Sequence, residues 1–190
     1  PFLFFGLNPL DAFFEGVASI TTTGTTLITD FAFNKTLYFW CSFSSWLGGM
    51  GVIVLFIAIL PQFAVAGRQM FFAEATGPVK DKITPRVKTT AFTLWGVYFL
   101  LTVLQIICLK VAGMGFFDSI CHSFSTISAG GFSPNQQSVA VYNSAKFSWI
   151  FIVFMFLAGT NFALQYKVIF ERKISKIIKN EEFRFYSLVI

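Results

Sequence analysis

Charge is what this chain lacks most. Only 12% of its 190 residues are Asp, Glu, Lys or Arg, about half the share found in ordinary soluble domains. With 55% hydrophobic residues, 27 phenylalanines among them, a domain of this length cannot hide its apolar surface from water. Disorder is excluded by the same composition, because disordered chains are poor in apolar residues. Histidine occurs once, at His122, and the three cysteines, Cys41, Cys108 and Cys121, form no CxxC pair. No cluster at metal-ligand spacing results, and the cysteines read as small buried hydrophobes rather than disulfide partners. GxSxG, HExxH and P-loop motifs are missing too, so neither enzymatic chemistry nor a cofactor is expected. A net charge of +5 would suit nucleic acid, but the basic residues are spread among long apolar runs, and no nucleic-acid partner is expected. The chain opens on Pro1 with no basic segment ahead of an apolar one, which predicts no signal peptide and a start inside a longer protein.

What is present is a series of apolar runs. Crossing ~30 Å of hydrocarbon takes about 20 helical residues, and three charge-free stretches are long enough: Thr36 to Leu60, Thr89 to Leu109 and Phe147 to Tyr166. Trp40, Trp95 and Trp149, with Tyr38, Tyr98 and Tyr142, lie near the ends of these stretches and are expected at the membrane interfaces. Gln105 and Asn161, within the runs, are expected to bond between helices, and Gly48, Gly49 and Gly51 to permit close helix approach. Two further stretches, Asp11 to Asp30 and Ser119 to Asn135, are apolar at first and then rich in Thr, Ser and Gly. Each offers about ten residues of helix before its polar segment, too short to span. Non-helical backbone at membrane depth survives only when buried in protein or lining a watery path, which predicts two re-entrant loops.

Basic residues fix the orientation. Eleven of the 14 lie in the connection from Pro61 to Lys88 or after the third run, leaving Lys35, Lys110 and Lys146 beside the re-entrant segments. The positive-inside rule places the eleven in the cytoplasm and both loops towards the outside.

The two re-entrant segments are copies of one another. A shift of 107 residues carries Asp11 onto Asp118, Ser19 onto Thr126, Ile20 onto Ile127, Thr21 onto Ser128 and Gly24 onto Gly131, and a shift of 110 carries Leu47-Gly48-Gly49 onto Leu157-Ala158-Gly159. The repeating unit is span, short helix, polar glycine loop, span. The C-terminal end of each short helix carries about half a negative charge and favours a cation. Glycines in the loop let successive carbonyls turn to one side, and rings of backbone carbonyls can replace an ion's hydration shell. His122 is read as a packed, hydrogen-bonded side chain. Glu15, at the corresponding place in the first helix, suits either cation attraction at the outer mouth or a structural bond to the loop backbone.

The pieces ASITTTGTT, WLGGMGVIVLFIAILP, GRQMFFAEATGPVKDKITPR and FDSICHSFSTISAGGFSP resemble the membrane subunit of bacterial Trk potassium uptake systems, in the Trk/Ktr/HKT superfamily. The resemblance implies an all-α integral membrane protein of repeated M1-P-M2 pore units with re-entrant loops, similar to a potassium channel. It implies four such units around one pore in the bacterial inner membrane, with potassium as transported ligand, by symport or channel-like flux. The implied divisions are 1–66, a first pore unit with most of M1 missing; 67–88, a cytoplasmic connection; 89–172, a second pore unit; and 173–190, a connection and the start of a third. The implied selectivity filter is Thr21, Thr22, Thr23 and Gly24 in one unit and Ser128, Ala129, Gly130 and Gly131 in the other, with potassium at Thr22, Thr23, Gly24, Ala129, Gly130 and Gly131. Both loops depart from the TVGYG of potassium channels, which implies weaker discrimination against sodium. The implied partners are the bilayer, the remaining pore units, a second copy in a homodimer, and a cytoplasmic nucleotide-binding regulatory subunit, for which the segment 67–86 is a candidate docking surface. The alternative from the residues alone is a membrane scaffold that keeps the fold without an ion path.

Overall fold

A computed structural model describes residues 1–28, 35–52, 84–135, 137–169 and 180–190, and among them there is helix and loop but no strand. After a 3-10 turn at Phe2–Phe5 come α1 (Pro9–Ile20), α2 (residues 35–52), α3 (Thr84–Val111), α4 (Phe116–Ile127), a 3-10 turn at Ser138–Tyr142, α5 (Ala145–Ala158), α6 (Phe162–Ile169) and α7 (Glu181–Val189). The start of α1 is written in the sequence: the Asn8 side chain accepts the Asp11 amide at 2.9 Å, and Pro9 fills the first turn, where its missing N–H costs nothing. Asp11 and Asp118 lie in the first turns of α1 and α4, where carboxylates complement the positive helix end.

Among the described residues one helix is long and apolar enough to cross a membrane, Ala91–Val111 within α3, with mean hydropathy 2.1. The run from Thr36 to Leu60 is helical over 35–52, and its remainder lies outside the described residues, as do the connection 61–83 and most of the basic segment after residue 169. Phe92, Phe99 and Ile107 of α3 and Trp149, Ile152 and Val153 of α5 are exposed. Apolar faces of that extent call for a covering of lipid or protein.

The third expected span is not one helix. Gly159 caps α5, and α6 begins afresh at Phe162. The Leu157 carbonyl accepts the Thr160 hydroxyl at 2.7 Å and the Gln165 side-chain amide at 2.5 Å, and Gln165 also reaches the Thr160 hydroxyl. Two polar side chains, Thr160 and Gln165, thus satisfy the backbone at the break, the condition for interrupting a helix away from water. Asn161, in the break itself, bonds to another helix as expected, donating to Glu182 of α7 at 3.3 Å. Gln105 does not: it is fully buried, and neither of its side-chain polar atoms has a partner among the described residues.

Two further expectations change. Tyr38 and Tyr98 are core residues rather than interfacial anchors, and Cys108 is exposed while Cys41 and Cys121 are buried thiols. A helical run apolar on every side gives no sign of which face turns inward. The core forms where α2, α3, α4 and α5 meet, around Met50, Val97, Tyr98, Leu101, Ile127 and Phe154. Phe132, just beyond the second loop, packs instead with Phe2, Ala12, Leu37 and Cys41 of the first half. The two halves therefore interlock through their loops.

Candidate functional site

Both short helices have 12 residues, and their ends are built alike. At the first, the Thr23 amide donates to the Ala18 carbonyl at 3.0 Å and the Thr22 amide to Ser19 at 3.1 Å. At the second, the Gly130 amide donates to Ser125 at 2.8 Å and the Ala129 amide to Thr126 at 3.1 Å. This is the Schellman arrangement, which returns two orphan carbonyls to the ladder and needs a left-handed residue after the cap. Glycine is the usual choice there; here Thr22 and Ala129 hold it, each at φ 55°. A left-handed conformation costs a non-glycine residue about 1 to 2 kcal/mol. Two residues on, Gly24 at φ 76° and Gly131 at φ 72° are left-handed again. The capping side chains match as well: Thr21 Oγ1 donates to Val17 at 2.7 Å, and Ser128 Oγ to Phe124 at 2.8 Å. Every one of these pairs is related by the 107-residue shift. Strain retained at the same place in both copies is a mark of a functional backbone.

The loops meet. A Cβ on Gly24 would collide with the Gly130 carbonyl oxygen and lie 3.6 Å from Gly131 Cα, and one on Gly131 would sit 3.9 Å from Gly24 Cα. Helix α2 is wedged against both. A Cβ on Gly48 would run into the Ile20 carbonyl at the end of α1, and Ser45 Oγ donates to the Ser19 carbonyl at 2.8 Å. On its other side, a Cβ on Gly49 would stand 3.1 Å from Ser128 Cβ, and one on Gly130 would stand 2.9 Å from Ser45. Ser128 and Gly130 are buried by this cover, whereas their counterparts Thr21 and Thr23 are exposed. All eight residues expected in the loops therefore lie in two corresponding segments, drawn together at Gly24 and Gly130. Their carbonyls sit at the negative ends of two helices with no basic residue in either last turn, an environment that favours a cation.

Behind the loops the two repeats differ. Glu15 is fully buried, and its Oε1 accepts the Thr26 hydroxyl at 2.8 Å and the Leu27 amide at 2.5 Å. The expected bond to the returning loop is formed, while Oε2 has no hydrogen-bond partner among the described residues. His122 takes the corresponding place in α4, 3% exposed, edge-on to Tyr142 and Phe151. It packs as expected, but its Nε2 has no hydrogen-bond partner among the described residues. Beside it a cavity of about 340 Å³ is bounded by Ser125, Ala129, Gly131, Met155 and Gly159. Sequence reasoning missed Ser45 and Tyr98. The small-residue text SFSSWLGG was the available signal for the first, since small residues mark close approach in membrane helices; nothing local marked the second.

Known proteins resemble this chain over nearly its whole length. The family model described as TrkH, cation transport protein, matches residues 4–188. The chain is 42% identical to the Trk system potassium uptake protein TrkG of Escherichia coli strain K12, over 96% of this chain and 38% of that protein. It is also 42% identical to TrkH of Salmonella typhimurium, over 98% of this chain and 40% of that one. Among solved structures, the crystal structure of the potassium transporter TrkH from Vibrio parahaemolyticus superposes with a TM-score of 0.80 at 35% identity, covering 96% of this chain and 36% of that one. The chain thus spans about two fifths of the length of the relatives it matches.

Proposed function

We propose, because the chain belongs to the TrkH family of cation transport proteins, that it forms part of a potassium uptake pathway through the bacterial inner membrane, in a multi-pass protein. In this reading residues 1–66 and 89–172 are two M1-P-M2 pore units, 67–88 and 173–190 are cytoplasmic connections, and the last residues begin a third unit. The loops Thr21 to Gly24 and Ser128 to Gly131 are two segments of the selectivity filter. The observation that carries this is the matched alternation of backbone sign. Residues 22 and 24 are left-handed with 23 between them, and residues 129 and 131 repeat it, within two loops that touch at Gly24 and Gly130. Alternating handedness lets neighbouring carbonyls share one side, and carbonyls so placed at Thr22, Thr23, Gly24, Ala129, Gly130 and Gly131 replace the water of a potassium ion. Electrostatics point the same way, since each loop continues the negative end of a helix. The exposed flank at Thr21 and Thr23 is where another unit's inner helix would lie, as α2 lies against Ser128 and Gly130. The homodimer and the nucleotide-binding regulatory subunit are supported by the family resemblance alone.

The test is growth at low potassium of cells lacking their own potassium uptake. Expressed from its complete reading frame, the protein should restore growth. The 190 residues alone, with two of the four loops that a ring requires, should not. Failure of the complete protein to rescue while it reaches the membrane in normal amount would favour the scaffold reading instead.

A further inference from the structure

Gly49 of α2 is a three-way junction. A Cβ there would stand 2.7 Å from the Tyr98 hydroxyl and 3.1 Å from Ser128 Cβ, so the glycine is pressed by the outer helix of the second repeat and by the first residue of that repeat's loop at once. The Tyr98 hydroxyl donates to the Trp46 carbonyl at 3.0 Å, and the two rings lie 5.6 Å apart. Thr102 completes the link, accepting Trp46 Nε1 at 3.0 Å and donating to the Tyr98 carbonyl at 2.8 Å. The same device recurs at the far end of the chain. The Tyr186 hydroxyl of α7 donates to the Phe156 carbonyl at 3.2 Å, the rings lie 5.2 Å apart, and a Cβ on Gly159 would collide with that hydroxyl. Trp46 and Gly49 fall on Phe156 and Gly159 by the 110-residue shift that aligns the inner spans. A hydroxyl bound to the carbonyl of one residue and seated over the glycine three positions on therefore joins each repeat to the next, at two independent places.

We infer that Tyr98 is a positioning residue for ion selection: its hydroxyl fixes the outer helix of one repeat to Gly49 of the preceding inner helix, and so sets where the Ser128 loop stands relative to the Gly24 loop. Tyr186 begins the corresponding clamp for the next repeat. Tethering by one hydroxyl is enough because Gly49 leaves no slack between Tyr98 and Ser128, and packed interiors transmit small displacements rather than absorb them. The inference rests on the filter reading above, and the experiment separates the two.

Tyr98→Phe keeps the ring and removes only the hydroxyl. In the protein expressed from its complete reading frame, rubidium uptake with sodium as competitor should show up to about a fivefold loss of discrimination against sodium, the ratio that one net hydrogen bond supports, at normal membrane amount. Gly49→Ala, which inserts a methyl group at the same junction from the other side, should shift the ratio in the same direction. A lowered melting temperature with the ratio intact in both variants would make the clamp merely structural and overturn the inference. Gly131→Ser and Gly24→Ser, run alongside, distinguish the causes: if either alters the ratio while Tyr98→Phe and Gly49→Ala do not, the clamp is refuted and the filter stands; if none of the four does, both fall.

Discussion

Gly24→Ser and Gly131→Ser should each reduce the preference of uptake for potassium over sodium by about tenfold while the protein still reaches the membrane. Both glycines are left-handed, at φ 76° and 72°, and a side chain in that region costs about 1 to 2 kcal/mol, each 1.4 kcal/mol being roughly a factor of ten. The two differ in what else the side chain meets. Among the described residues a Cβ on Gly131 has one neighbour, Gly24 Cα at an ordinary 3.9 Å, so that variant reports chiefly the backbone. A Cβ on Gly24 also strikes the Gly130 carbonyl, so that change moves the opposing loop too and should have the larger effect. Potassium and rubidium uptake with sodium as competitor, normalised to membrane protein, measures both. An unchanged ratio in both variants at normal expression would remove the loops from selection and leave the scaffold reading.

Gly48→Ser should lower folded yield and thermal stability, by about 1 to 3 kcal/mol, the usual cost of overpacking. Its Cβ would enter the Ile20 carbonyl, backbone against backbone, with no flexible side chain to give way. Gly51→Ser is the control, because among the described residues a Cβ there meets nothing within 4 Å, and it should be near neutral. The sequence groups Gly48, Gly49 and Gly51 as one packing motif, and the structure separates them into a contact with α1, a junction with Tyr98 and Ser128, and a site that is open among the described residues. Melting curves of the purified protein in detergent decide this prediction; equal loss in Gly48→Ser and Gly51→Ser would refute the wedge.

How far the fold could be read beforehand follows from how local each signal is. Asn8-Pro9, Asp11 and the polar segments after Ile20 and Ile127 act on backbone within a few residues, and both short helices and both loops stand where those residues place them. The 107-residue repeat was legible for the same reason, since corresponding turns need corresponding residues. The break at Gly159 to Asn161 was not, because hydropathy counts Thr160 and Gln165 as mild interruptions, whereas their side chains capture the Leu157 carbonyl. Tyr98 misled through position: an aromatic residue near the end of an apolar run suits an interface, and only the partner Trp46, 52 residues away in sequence, reveals it as core. The wedge of α2 between the loops is equally non-local. No periodicity within residues 35–52 says that Ser45 meets Ser19 on one side and Gly130 on the other.

The measurement that reaches the central claim most directly is ion-dependent stability of the complete protein in lipid nanodiscs, melted in potassium, sodium or choline chloride at equal concentration. A ligand that binds the folded state alone stabilises it by about 2.7 kcal/mol at a hundred times its dissociation constant. If the two loops bind potassium through their carbonyls, the midpoint should be highest in potassium, lower in sodium and lowest in choline, and Gly131→Ser should remove about half of the gain from potassium. Identical midpoints in the three salts would contradict the claim that these loops hold the ion.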